Sequence, residues 1–355
     1  MRKIGYAIIG FGGIAENRIA QEGFGIDTSR FAGHPNATLL GVTDTNRSRE
    51  EAASRLGLRW YDSVDALLDD PKVQAVFIAT NNRSHAPLAQ KAIEAGKHCL
   101  IEKPIATTLN DARRLQELAR ERRISLAVDH MMVENAYNQR ARELVVAGAI
   151  GEVNDICLHM EFCYGATRDE AASWRCADPS EIGGPLGDVG SHCLYMAESL
   201  LNGTVKSLSC VYTPRTLDTA VENGAFVQFR LDTGLQGTAR VAFNQPRGGL
   251  GGTLTNLGYE VYGTKGVVRG YGTLFQLSGH PGEPVPIRLV LDRFKETEKV
   301  KVDRVSNIYQ AVIGRHAQSI LDDKPRDASD ALHNLELVLG CHASADRQGQ
   351  WIDFS

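Results

Sequence analysis

Four short stretches of this sequence carry residue types that could do chemistry together. The first is Gly10-Phe11-Gly12-Gly13-Ile14-Ala15, which fits G-x-G-x-x-A. It follows the apolar run Ile4–Ile9 and opens a helical stretch, Ala15–Glu22. A dinucleotide pyrophosphate needs that placement. The first glycine permits a tight turn, the second lets the backbone approach the phosphates, small Ala15 lets helix pack on strand, and the helix N-terminus attracts the anion. With 35 glycines in the chain a chance match is common, so the weight lies on the strand before and the helix after. Asp44 is the second signal. It ends the next predicted strand, Thr38–Thr43, where a carboxylate accepts hydrogen bonds from the adenosine ribose and repels a 2′-phosphate. That favours NAD over NADP, although Arg47 could hold a 2′-phosphate. A plain surface aspartate is the competing reading. Asp44 lies farther from the glycines than the usual ~20 residues, and an inserted loop at 23–35 accounts for the excess.

The third stretch is Gly96-Lys97-His98-Cys99-Leu100-Ile101-Glu102-Lys103-Pro104. A strand runs straight into Glu-Lys-Pro, which sets Lys103 at the carboxyl edge of the sheet, where ligands of open α/β sheets collect. A lysine there can donate to a reacting hydroxyl and stabilise developing alkoxide charge. Taken alone, it is an ordinary loop lysine. The fourth is Gly183-Gly184-Pro185-Leu186-Gly187-Asp188-Val189-Gly190-Ser191-His192. Apolar residues after it indicate a helix, on which Asp188 and His192 are four apart and share a face. A histidine can take an alcohol proton near neutral pH, and a carboxylate can orient it. A surface Asp–His pair is the bland alternative.

These residues need a frame. Through residue 130, β-rich runs alternate with helical stretches: strands at 4–9, 38–43, 75–79, 98–101 and 126–128, and helices at 15–22, 47–56, 64–68, 85–95 and 110–122. That alternation predicts a doubly wound parallel sheet. Beyond 130 the texture changes. A helix at 137–147 and a strand at 153–162 precede β-rich runs at 205–212, 224–231, 237–244 and 258–262, which predict a mainly antiparallel sheet with one exposed face. A last helix spans 331–345, with Ser329 or Asp330 as its cap. The glycine-rich Arg247–Gly252 reads as a loop. The expected domains are 1–129, a Rossmann nucleotide-binding domain, and 130–355, an α+β domain for substrate binding and oligomerisation.

Composition excludes several classes. The 355 residues hold 39 Lys and Arg against 43 Asp and Glu, a net charge of −4, so nothing favours nucleic acid or an anionic membrane as partner. No apolar run reaches the ~18–20 residues of a membrane span. Seven scattered cysteines without C-x-x-C pairing argue against a disulfide framework and structural zinc. Cys163, Cys176, His192 and Cys193 match no standard metal site, so no metal is expected. A cytoplasmic protein is expected.

Together the four stretches resemble the Gfo/Idh/MocA family, which includes glucose–fructose oxidoreductase and inositol dehydrogenase. Ala79-Thr80-Asn81-Asn82-Arg83-Ser84-His85 is similar to the family's Thr-Pro-Asn-x-x-His loop, Ala95–Pro104 to its A-G-K-H-V-x-x-E-K-P signature, and Ile182–His192 to its G-G-G-x-L-x-D-x-G-x-H segment. The resemblance spans nearly the whole chain. It implies NAD or NADP held by Gly10, Phe11, Gly12, Gly13, Ile14, Asp44, Arg47, Thr80, Asn82, His85, Glu102 and Lys103. It also implies a substrate site of Lys103, Asp188 and His192 beside the nicotinamide, with Glu102 and Pro104 setting the loop. Trp174-Arg175 is similar to a segment near the pocket mouth, where Arg175 could bind an anionic group on a sugar or form a structural ion pair. Tyr164 is a further candidate for substrate contact. The chain departs from the family at Tyr195, at Ile182 and over His130–Tyr137, all around the expected pocket.

The expected activity is NAD(P)-dependent hydride transfer at a secondary alcohol of a sugar, polyol or derivative. His192 removes the hydroxyl proton, Lys103 holds the oxygen and Asp188 positions the substrate or tunes the pair. A redox-assisted glycosidase is a second reading, and a non-catalytic sugar or nucleotide sensor a third. A homodimer or homotetramer through the second domain's sheet is the expected assembly.

Overall fold

The computed structural model describes residues 2–246, 255–280, 283 and 285–355. The Arg247–Gly252 loop therefore lies outside the described residues. The chain forms two compact units, one of residues 1–131 and 307–335, the other of 132–306 and 336–355.

Among the described residues, the first unit carries strands β1 (Ile4–Ile9), β2 (Ala37–Thr43), β3 (Arg59–Trp60), β4 (Ala75–Ile78), β5 (His98–Ile101) and β6 (Leu126–Val128). They form one parallel sheet in the order β3-β2-β1-β4-β5-β6. Every residue of β1, β4 and β6 is buried, which is why these strands are unbroken apolar runs in the sequence. The strand order reverses between β1 and β4. The crevice beyond the carboxyl ends of those two strands is where such sheets take ligands.

The division of the chain differs from the sequence expectation of one continuous domain over 130–355. Residues 307–335 belong with the nucleotide-binding sheet. The cause is the helix Ile308–Leu321, which packs on the helix Ala15–Gly23 and on β1, β2 and β5. Asn307 caps it, its Oδ1 accepting from Tyr309 N at 2.9 Å and Gln310 N at 3.1 Å, while its Nδ2 donates to Glu22 at 3.0 Å. On the same helix, His316 accepts from the Tyr6 hydroxyl at Nδ1 (2.8 Å) and donates from Nε2 to Ser125 O (3.1 Å). Burial pushes this imidazole down to about 3, so it is neutral and carries one proton, as that pattern requires. Leu126 N then donates to Arg326 O at 2.9 Å, which ties the following segment to β6.

The second unit carries β7 (Val153–Glu161), β8 (Val205–Tyr212), β9 (Gly224–Leu231), β10 (Gln236–Ala242), β11 (Leu257–Gly263), β12 (Gly266–Tyr271), β13 (Arg288–Arg293), β14 (Glu296–Lys299) and β15 (Ile352–Asp353). Among the described residues they make a sheet in the order β14-β13-β12-β11-β7-β10-β9-β8-β15, antiparallel except for the β7–β10 pair. The fold class is the expected one: a Rossmann sheet and a large, mainly antiparallel sheet. Helices Ala136–Val146 and Ser191–Leu201 pack on each other and on β7, β10 and β12. β9 alternates buried and exposed residues, so its Phe226, Gln228 and Arg230 point away from the core. On β7, β10 and β11, half-buried His159 lies 3.6 Å from buried Glu161 and 3.5 Å from Glu260, and Arg240 pairs with Glu161 at 2.5 Å. Those two glutamates push His159 up to about 9.

Candidate active site

The glycine loop opens directly from the end of β1. Gly10 adopts φ +89°, and a Cβ there would lie 2.7 Å from both Ala79 O and the Thr80 methyl. Glycine at this position lets the β1 turn pass against the chain leaving β4, at the point where the sheet order reverses. Gly12 and Gly13 are different. Both are exposed, and a Cβ on either would meet no atom within 4 Å. The protein's own packing does not require glycine there; a close-lying phosphate would. The helix that follows, Ala15–Gly23, is wound wide, with Phe24 N donating to Ile19 O at 2.9 Å.

Asp44, one residue beyond β2, is half-buried. One carboxylate oxygen accepts from Phe11 N at 2.5 Å and the other from Asn46 N at 2.7 Å. A carboxylate offers about four lone-pair sites, so two are left for ribose hydroxyls. Arg47 lies exposed and pairs with Asp62 at 2.8 Å and Glu50 at 3.6 Å. Sequence reasoning passed over Arg49. Its Nε donates to Phe11 O at 2.6 Å and its guanidinium pairs with Glu16, so it braces the glycine loop. Nothing in its spacing distinguished it from Arg47. The open loop backbone, the helix N-terminus and the Asp44 carboxylate fit a dinucleotide.

Beyond β4 and β5 two loops are tied together. His85 is fully buried, with Nδ1 at 2.7 Å from Pro104 O and Nε2 at 3.3 Å from Thr80 O. Its ring thus links the loop beside Gly10 to the Glu-Lys-Pro turn, whose Lys103–Pro104 peptide is cis. Asn82 is buried as well, and Thr80, Glu102 and Lys103 are half-buried. Lys103 also acts on His130. Burial pushes that imidazole down to about 4, with Asp330 opposing and the charges of Lys103 and Arg326 adding to the effect.

In the second unit, a wide turn, Leu186–Gly190, carries Asp188 and runs directly into the helix Ser191–Leu201, whose second residue is His192. Three glycines in this segment face protein backbone or a carboxylate. A Cβ on Gly183 would lie 2.3 Å from Arg175 O, one on Gly187 1.9 Å from Ile182 O, and one on Gly184 2.6 Å from the Glu222 carboxylate. Arg175 Nε lies 3.5 Å from Asp188, and its guanidinium sits over the Trp174 ring at 4.2 Å. Tyr164 donates to Ser173 at 3.2 Å and packs edge-on against Phe243. His192 is buried.

The structure therefore gathers Gly10, Phe11, Gly12, Gly13, Ile14, Asp44, Thr80, Asn82, His85, Glu102 and Lys103 at the carboxyl edge of the first sheet. Arg47 stands apart, with its acidic partners. In the second unit Tyr164, Trp174, Arg175, Asp188 and His192 lie on adjoining segments. Among the described residues no group of three or more His, Cys, Asp or Glu is placed to hold a metal, and no helix is long and apolar enough to cross a membrane.

Comparison with known proteins agrees with this fold. Residues 4–130 match the model of the GFO_IDH_MocA oxidoreductase family with its NAD-binding Rossmann fold, and 138–269 match the family's C-terminal domain. A dTDP-3,4-didehydro-2,6-dideoxy-alpha-D-glucose 3-reductase of Streptomyces violaceoruber is 30% identical over 318 residues, covering 87% of this chain and 88% of its own. The chain belongs to the Gfo/Idh/MocA family. Like the family, it is an NAD(P)-dependent oxidoreductase. A second relative, the 1,5-anhydro-D-fructose reductase of Ensifer adhaerens, is 27% identical over 260 residues, 73% of this chain and 72% of that one. Among solved structures, the aldose-aldose oxidoreductase of Caulobacter crescentus superposes with a TM-score of 0.85 at 21% identity, covering 99% of this chain and 100% of that one. This last match establishes the family fold alone.

Proposed function

We propose that this Gfo/Idh/MocA oxidoreductase transfers hydride between a nicotinamide dinucleotide and a secondary carbinol of a sugar, polyol or sugar derivative. Reduction of a keto sugar is the direction we favour, since both curated relatives described above are named reductases. When bound, the nicotinamide supplies or accepts the hydride. Lys103 donates a hydrogen bond to the reacting oxygen and stabilises alkoxide character there. His192 takes the hydroxyl proton in oxidation and returns it in reduction. Asp188, with Arg175 beside it, orients the substrate hydroxyls. His85, Asn82 and Glu102 set the loops around Lys103.

The observation that carries this is the contiguous path Gly10–Thr80–His85–Pro104. It ties Lys103 to the same sheet edge as the dinucleotide turn. Asp44, and the engagement of Arg47 by two acids, support NAD over NADP. We also assign the exposed face of the second sheet, with Val211 and Phe226 on it, to pairing of copies into a dimer or tetramer. The test is a panel of keto sugars, 1,5-anhydro-D-fructose and dTDP-linked 3-keto sugars among them, each with NADH and NADPH. Sugars and polyols with the oxidised cofactors complete it. Turnover of at least one compound, faster with NADH, is expected. Tight cofactor binding with no turnover across the panel would contradict it.

A further inference from the structure

The turn that delivers Asp188 and His192 begins with a helix-end problem. Pro185 has no N–H, so Leu186 offers one of the first unpaired backbone donors of the segment. Its N–H donates to Glu222 Oε1 at 2.9 Å. The same carboxylate occupies the space a side chain at position 184 would need, and Gly184 adopts φ +66° to let it in. Glu222 comes from the residue pair before β9, far along the chain, on a loop that is itself held fast. Asn223 is buried, its Oδ1 accepting from Thr216 N at 2.7 Å and Leu217 N at 2.6 Å. Ala220 N donates to Cys176 O at 2.8 Å, one residue from Arg175. One side of the Gly183–Asp188 segment thus rests on the Arg175 backbone at Gly183, and the other on a carboxylate at Gly184 and Leu186.

We infer that Glu222 is a positioning residue for the reaction: it fixes the first turn of the helix and so the approach of Asp188 and His192. A negative charge at a helix N-terminus is favourable as well as hydrogen-bonding. No motif marks Glu222 in the sequence. The inference rests on the roles proposed above for Asp188 and His192.

The structure also supplies a test that a merely space-filling residue would fail. Glu222 stands in the wall of a cavity of about 490 Å³, lined also by Gly183, Tyr212, Arg215 and His342. Truncation to alanine would open the carboxylate's place to that cavity, so a small carboxylate in solution can reach Leu186 N–H. Glu222→Ala should cut kcat on the panel's best keto sugar by about 10–100-fold with little change in KM, the size expected for misplaced catalytic groups. Sodium formate should restore part of the loss, with sodium chloride at equal ionic strength as control. Glu222→Gln keeps an acceptor oxygen and leaves no hole. It should fall between the two and not respond to formate.

Hydrogen exchange over 183–190 reads the same contact without any substrate. It should quicken in Glu222→Ala and slow again with formate. Wild-type kcat in Glu222→Ala, unchanged exchange over 183–190, or a loss indifferent to formate in the folded variant would each overturn the inference. If Glu222→Ala does not fold, Glu222→Gln decides: wild-type kcat and exchange together in that variant overturn it. Asp188→Asn and His192→Asn run in parallel. Full turnover in those two would refute their proposed roles, while the exchange of 183–190 would still judge Glu222.

Discussion

The two glycine-rich turns look alike in sequence and do opposite jobs. At the end of β1, a Cβ on Gly12 or Gly13 would enter open space; in the second unit a Cβ on Gly183, Gly184 or Gly187 would lie 1.9 to 2.6 Å from a backbone oxygen or a carboxylate. The first pair borders open space, where we propose the dinucleotide pyrophosphate lies. The second trio keeps room for the protein's own chain, so that Asp188 and His192 leave the turn at a fixed angle. A glycine's neighbours, rather than its motif, say whether ligand or fold requires it.

Substitution should separate the two. Gly187→Ala drives a methyl into Ile182 O and should lower unfolding free energy by on the order of 3–5 kcal/mol in urea titrations, the range of severe steric lesions. Gly12→Ala should leave stability within about 1 kcal/mol while weakening NADH binding at least ~10-fold, or 1.4 kcal/mol. A Gly12→Ala protein that melts like Gly187→Ala, or binds NADH normally, would break the contrast.

Much of this was legible beforehand, and the rest failed for identifiable reasons. β1, β5, β6, β8 and β9 were predicted over their observed residues; β1 and β6 are the continuous apolar runs of buried parallel strands, and β9 alternates cleanly. The glycine loop, Asp44 and the Glu-Lys-Pro turn were legible because each sits where a strand must end. The helix Ile308–Leu321 escaped, and with it the return of 307–335 to the first unit. Its anchors are Tyr6, Glu22 and Ser125, some 190 to 310 positions away in sequence, and local patterning carries no trace of them. The edge strands β3 and β15 have two residues each, too few for a period. Arg49 and Glu222 escaped for a similar reason: each acts on a loop that only the fold brings near.

The two units should also answer pH in opposite directions. His316 and His130 are buried and held below their unfolded value of ~6.5, at about 3 and about 4. Their stabilisation is complete above ~6.5 and is lost as pH falls from there through those folded values, each costing up to about 1.4 kcal/mol per pH unit within that window and nothing further below it. His159 is held up, at about 9. Its contribution is complete below ~6.5 and is lost as pH rises through 9. Hydrogen exchange corrected for intrinsic rate should show 1–131 and 307–335 loosening first in acid, and β7 with its neighbours first in alkali. Loosening of both units together at either extreme would sink the assignment. His159→Gln should flatten the alkaline limb alone.

Smaller effects sharpen the nucleotide side. Asp44→Asn should bring NADPH affinity toward that of NADH by about 10-fold. Arg47→Ala, an exposed residue already paired with acids, should change either affinity by less than ~2-fold and stability by under ~0.5 kcal/mol.

The most direct trial is Lys103→Ala, assayed for NADH binding by fluorescence and for reduction of the panel's best keto sugar. Binding within about threefold of wild type with kcat down at least ~100-fold is the predicted outcome. Undiminished kcat, or turnover lost only in step with NADH binding, would contradict a role for this amine at the reacting oxygen.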